Sequence, residues 1–187
     1  MEKSKLKPFL RKDLDILFVG LNPAKGSNDN GHYFSVKQSL WNQLYESGLI
    51  IKPVDKKNAD EIVFGDNKFN YKKWNFGITD LVTNIVDSDS GKINPSEEDC
   101  LKLKKDIITY KPKIVIILHS KVLKKFVPFL GHPKPKSNMG YMGLLIDGIN
   151  TIFYNIAFPH YNNIHDRKKV DRYKELKKKM EKEGMIG

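Results

Sequence analysis

The sequence predicts an α/β protein, a three-layer α/β/α sandwich around a short, mainly parallel central sheet. Two observations carry this. Residues 14–19, 114–118 and 152–157 are short runs rich in Ile, Val, Leu and Phe, and such runs suit strands buried on both faces. Between them lie segments with apolar residues at helical spacing. Strands that alternate with helices favour a parallel sheet covered on both sides. A chain of 187 residues has room for one sizeable core and little more. It therefore reads as a single domain over 1–187, with 1–12 and 183–187 as flexible ends.

Taken in order, 14–19 is the first strand and 39–49 a helix that buries Leu40, Trp41, Leu44 and Leu49. Residues 51–73 hold Lys, Asp and Asn with few apolar positions, which suits a connecting segment with one short helix. Residues 76–81 form a short strand or structured loop. Ser96-Glu97-Glu98-Asp99 matches a capping box at the start of a helix that runs to about Tyr110. Leu101, Leu103, Ile107 and Ile108 supply its buried stripe. The β-branched run 114–118 is a central strand, and 121–129 the helix after it. Residues 131–143, with three Gly and two Pro, read as a loop. The last inner strand is 152–157, and the closing helix is Asp166–Lys182.

Net charge is +11, from 33 basic and 22 acidic residues, which favours an anionic partner such as nucleic acid. Lys121, Lys124, Lys125, Lys134 and Lys136 form one basic group, and Arg167, Lys168, Lys169 and Arg172 another. No run approaches the ~18–20 apolar residues of a membrane span. The N-terminal residues carry charge without an apolar run behind them, so no secretion signal is expected and the cytoplasm, or a nucleus, is the expected compartment. The single Cys100 has no partner for a disulfide and excludes a cysteine-ligated iron–sulfur cluster. No phosphate-cradling Gly-x-Gly-x-x-Gly or Gly-Lys-Ser/Thr is present, which argues against a nucleotide cofactor.

A Gly20-Leu21-Asn22-Pro23 turn hangs off the first strand, and His32-Tyr33-Phe34 follows ten residues on. In open α/β sheets ligands sit outside the carboxyl ends of the strands. A polar Asn there, with an aromatic nearby, can hold a flat heterocycle. Alone, Asn22 before Pro23 fits an Asx-type turn better than a binding role, and Phe34 fits a core position as well as a binding one.

The pattern Gly20-x-Asn22-Pro23, then Gly31-His32-x-Phe34, then Trp41 and Ser47-Gly48-Leu49 resembles the uracil-DNA glycosylases, in their mismatch-specific uracil and thymine-DNA glycosylase branch. Residues 76–82 resemble the family's Gly-Ile-Thr-x-Leu-Val segment, and 111–118 its third strand. Phe158-Pro159-His160 with the helix that follows is similar to its second motif. The resemblance spans roughly residues 14 to 180. It implies a uracil-DNA glycosylase-like fold and a monofunctional DNA glycosylase of base excision repair. Such an enzyme hydrolyses the N-glycosidic bond of uracil, and of other modified pyrimidines.

The resemblance also implies site residues. Asn22 is the catalytic residue: its carbonyl oxygen can orient a water under C1′, although an amide cannot accept the proton as a carboxylate would. Leu21, Ala24, Ser27, Phe34 and His160 bind the base, Phe34 by stacking. Ala24 is small where uracil-strict relatives carry a bulky residue, which leaves room for a C5 substituent. His160 departs from the family, which usually has a small residue after the Pro; by its own chemistry it can donate to a base carbonyl or a phosphate, or cap the next helix. Tyr161, Asn162, Asn163 and Ile164 form the loop that wedges into the duplex, with Ile164 or Tyr161 as the plug. Arg167 and Lys168 contact DNA, and His119 and Ser120 also lie where they can touch its backbone. No metal or cofactor is expected. The partner is double-stranded DNA with uracil or a mismatched base, bound by a monomer. Two other functions remain open: a DNA-binding protein in which Asn22 no longer supports catalysis, and an enzyme acting on free nucleosides or nucleotides.

Overall fold

A computed structural model describes residues 4–160 and 162–183. The five strands are β1 (Ile16–Gly20), β2 (Phe76–Asp80), β3 (Ile114–Ile117), β4 (Gly140–Leu144) and β5 (Ile152–Asn155). They form one sheet in the order β2-β1-β3-β5-β4, parallel except for β4. The helices are α1 (Lys25–Asn30), α2 (Ser39–Glu46), α3 (Glu97–Tyr110), α4 (Ser120–Phe129) and α5 (Asp166–Lys182). This is the three-layer arrangement that the buried apolar runs predict.

The two-residue period of a strand sorts the inner side chains to the two faces. Ile16, Phe18, Ile114 and Ile116 point to one core, with Trp41 and Leu44 of α2 and Tyr173, Leu176 and Met180 of α5. Leu17, Val19, Val115 and Ile117 point to the other, with Leu103 and Ile107 of α3 and Val122 and Phe126 of α4. These strands are buried at every position, as continuous apolar runs require.

Several sequence expectations need correction. Helix α2 ends at Glu46 rather than 49, because Gly48 (φ 74°) turns the chain, and Leu49 still reaches the core. In α3 the Ser96–Asp99 capping box forms, but the buried stripe is Cys100, Leu103 and Ile107. Leu101 and Ile108 lie one residue round from that stripe and are 57% and 40% exposed. Residues 131–143 are not all loop. Gly140–Leu144 pairs antiparallel with β5, and Gly140 and Gly143 adopt φ near +80° at a register shift. The segment 51–73 is more than a connector: Val54, Ala59, Val63 and Phe64 are buried around a π-helical turn, Glu61–Gly65.

Residues before β1 pack against the sheet. Leu6 is buried, and Phe9 bridges antiparallel to Ile78, donating to its carbonyl at 2.9 Å.

Candidate active site

The chain leaves β1 toward β2 on one side and leaves its neighbour β3 toward β4 and β5 on the other, so the connections diverge from the carboxyl ends of β1 and β3. A crevice opens at such a switch point. Here it is a cavity of about 810 Å³. Gly20, Leu21 and Asn22 enter it from the end of β1, Asp80 from β2, and Leu118, His119 and Ser120 from β3.

Asn22 is clamped by one hand of its amide. Its Nδ2 donates to the carbonyls of Pro23 (3.1 Å), Ile85 (3.2 Å) and Asp87 (2.9 Å). Three carbonyl acceptors around one end of the amide fix which end is nitrogen. The segment after β2 is tied to the same turn, since Asp87 N–H donates to Pro23 O at 3.2 Å and Lys25 N–H to Ser88 Oγ at 3.1 Å. With both amide hydrogens engaged, the group Asn22 can offer to the cavity is Oδ1, an acceptor that can hold a water.

All five residues expected to bind the base line this cavity: Leu21, Ala24, Ser27, Phe34 and His160. Ala24 is exposed at its mouth, and Ser27 is buried in α1. Phe34 sits at φ 52°, its carbonyl accepting from Trp41 Nε1 at 3.2 Å. Its ring lies 6.0 Å from that of Phe158, which in turn meets His119 edge-on at 5.4 Å. The loop that carries Phe34 is anchored by buried Asp60, whose carboxylate accepts from His32 Nδ1 (2.9 Å) and Tyr33 N–H (2.8 Å). His32 therefore has a structural task.

Of the residues expected to form the wedge, Asn162, Asn163 and Ile164 border the cavity, whereas Tyr161 lies outside the described residues. Arg167 and Lys168 are exposed on the first turn of α5, away from the cavity lining. His160 does not cap α5; His165 does, accepting from Arg167 N–H at 3.3 Å. The His160 ring lies 3.0 Å from Lys37 Nζ, and burial, Lys37 and Lys169 all lower its pKa. Lys169 is not a surface cation. It is fully buried, donating to His160 O (2.9 Å) and Asp166 (3.0 Å), so it braces this loop. Lys121 is likewise engaged, by the carbonyls of Gly91 and Ile93. The exposed Lys124, Lys134 and Lys136 instead border a shallow groove that shares Ser120 and Ser137 with the cavity.

Two cavity residues have roles that sequence reasoning missed. His119 caps α4, its Nδ1 accepting from Lys121 N–H at 3.1 Å, which leaves Nε2 as the protonated, donating nitrogen. Burial, helped by Lys121 and Lys124, lowers its pKa to about 4, so the ring is neutral at physiological pH. Asp80 ends β2 opposite Gly20, and burial raises its carboxyl to about 7. Tyr33 lines the same floor, its phenol pushed upward by burial and by Asp80 and Asp60. A carboxylate at a strand end has no periodic signal; only the pairing of β2 with β1 brings it to Asn22's side.

Among the described residues no group of three or more His, Cys, Asp and Glu side chains comes together as a metal site. No helix there is long and apolar enough to cross a membrane.

A mainly parallel sheet brings an amide, a neutral imidazole and two phenyl rings to one crevice at its strand ends, an arrangement that can hold a flat polar ligand. The family model for the uracil DNA glycosylase superfamily matches residues 8–180, and the chain belongs to that superfamily. No curated protein matches the chain. Membership points to a glycosylase, a hydrolase acting on DNA in repair.

Proposed function

We propose that the protein is a monofunctional DNA glycosylase of the mismatch-specific uracil and thymine-DNA glycosylase type. It removes uracil, opposite guanine in double-stranded DNA, acts as a monomer and leaves an abasic site. The observation that carries this reading is the clamped amide of Asn22. Breaking the C1′–N1 bond builds positive charge on the sugar and negative charge on the leaving base. Oδ1 of Asn22 orients the water that attacks C1′. Nε2–H of His119, a neutral donor held by its helix cap, is placed to meet the charge that develops on a base carbonyl. An amide cannot take the water's proton, so such a site favours bases that leave readily. Lys124, Lys134 and Lys136 beside the cavity, with Arg167 and Lys168, supply cations for the phosphates of a duplex whose target base has been flipped out.

A labelled duplex with one uracil, incubated with the protein and treated with alkali, tests this. Strand scission is the expected result. Binding that weakens steeply with salt but yields no scission at stoichiometric protein would assign a DNA-binding role instead. Absence of salt-sensitive DNA binding would favour free nucleosides as substrates.

Two variants probe the base pocket. Phe34→Ala removes the stacking face and is expected to weaken capture of the base by about 1–3 kcal/mol. The loss should fall on KM more than on kcat, and steady-state kinetics would reveal it. Ala24 leaves the mouth of the cavity open, so 5-fluorouracil and 5-hydroxymethyluracil are expected to be excised, and thymine much more slowly. Ala24→Tyr should restrict excision toward plain uracil or stop it. A panel in which only uracil is cut by the parent protein would remove the open-pocket argument.

A further inference from the structure

Leu6 precedes residues 8–180, the part of the chain matched to the superfamily, yet it forms part of the cavity wall. It is 8% exposed and belongs to the same buried cluster as Tyr33, which lines the cavity beside Phe34. A segment ahead of a first strand moves freely unless something ties it down. Here residues 5–11 form a strap with three ties. Lys5 N–H donates at 2.7 Å to Oδ1 of Asn28, a buried residue of α1. Phe9 and Ile78 exchange backbone hydrogen bonds of 2.9 and 3.3 Å. The guanidinium of Arg11 donates to the carbonyls of Phe64 (2.7 Å) and Phe76 (3.1 Å). Leu6 sits between the first two ties, so its place in the wall is held from both sides.

Helix α1 joins this strap to residues expected to bind the base. Its N-cap is Ala24, whose carbonyl accepts from Asn28 N–H at 2.9 Å, and Ser27 lies between the two. The helix is braced on another side as well. A Cβ on Gly26 would lie 2.6 Å from a methyl of Val36, so α1 has no room to shift that way. The open position at Ala24 and the tie to the strap are thus one turn apart on a fixed helix.

We infer that Leu6 is a specificity-determining residue that sets the upper size of the base the cavity accepts. Ala24 leaves the mouth open, and Leu6, tied one turn along α1, closes the wall behind it. The inference rests on the glycosylase reading of this cavity. Leu6 selects by shape alone, because a branched apolar side chain has no hydrogen bond to give. One methylene more or less in an apolar pocket changes selection by about tenfold or more. A leucine held on both sides cannot swing clear as a surface side chain would. Uracil, a single ring without a substituent, fits whichever residue stands there; a base with a second fused ring does not.

The test is excision of uracil, 5-hydroxymethyluracil and ethenocytosine from duplexes opposite guanine, by the full chain and by Leu6→Ala and Leu6→Phe. The quantity read is kcat/KM for each larger base divided by that for uracil, so that losses common to all bases cancel. Comparing variant with parent then removes differences in leaving-group quality. Leu6→Ala should raise the ethenocytosine ratio by about tenfold and the 5-hydroxymethyluracil ratio by less. Leu6→Phe should lower both. Leu6→Val, a milder truncation, should move the ratios the same way as Ala by a smaller factor, and thermal unfolding checks that each variant folds. A leucine that only packs the strap would, when replaced, slow every base alike. Ratios that stay level, or that move in the same direction in the Ala and Phe variants, overturn the proposal. If the parent protein cuts uracil duplexes, the glycosylase reading survives that result. A parent that excises none of the three bases sinks both.

Discussion

Replacing Asn22 with Ala is expected to cut turnover on a uracil duplex by about 10²–10³-fold, the scale seen when one preorganised polar group is removed from an active site. Affinity for DNA should change little, because Asn22 lines the cavity rather than the basic surface around it. Single-turnover cleavage and fluorescence anisotropy measure the two separately. A variant that cleaves as fast as the parent would show that another group holds the water. The clamp adds a sharper expectation for Asn22→Asp. A carboxylate would seem the better base, yet here one of its oxygens must face the carbonyls of Pro23, Ile85 and Asp87. Three lost hydrogen bonds and three oxygen–oxygen contacts should destabilise the protein by about 1–3 kcal/mol and displace the side chain. Asn22→Asp is therefore expected to be less stable than the parent and no faster, and a gain in rate would mean the turn can rearrange.

Gly77→Ala is expected to lower stability through overpacking alone, with no hydrogen bond of the site removed. A Cβ there would lie 2.3 Å from the carbonyl oxygen of Phe9 and 2.8 Å from a methyl of Leu14. The first contact is with backbone that hydrogen-bonds to Ile78, so relief requires the segment before β1 to lift off the sheet. Overpacking of this kind costs about 1–3 kcal/mol. For a chain of this length each kcal/mol lowers Tm by about 2–4 °C. Calorimetry should register a fall of several degrees. An unchanged Tm would mean that the strand of contacts around Phe9 does not hold that position in solution.

The parts of the fold legible in the sequence are those with a strong repeating signal. Continuous apolar runs marked β1, β3 and β5, and a capping box marked the start of α3. What stayed hidden depends on partners elsewhere in the chain. The edge strand β4 has glycine-rich composition because its pairing with β5 bends at Gly143, and composition alone reads as loop. Leu101 and Ile108 look as apolar as Leu103, and only the rotation of α3 against the sheet decides which are covered. At the site, the turn bearing Asn22 was legible from its motif, and so were the residues around it. Asp80 and the tautomer of His119 were not, since each is set by one tertiary contact.

The central place of β1 has a consequence for how the molecule comes into being. Ile16 pairs with Phe76 on one side and with Ile114 on the other, so both neighbours of the strand that carries Asn22 come from far along the chain. Closing such long loops costs entropy before any pairing is gained, and topologies of this kind fold slowly. During synthesis, β1 has no strand partner until β2 has emerged, and its other edge stays open until residues past Ile117 follow. The cavity is complete only once β3 and the residues after it, Leu118, His119 and Ser120, have joined the sheet. A chain stopped before β3 would hold the Gly20–Pro23 turn and no crevice for it to serve.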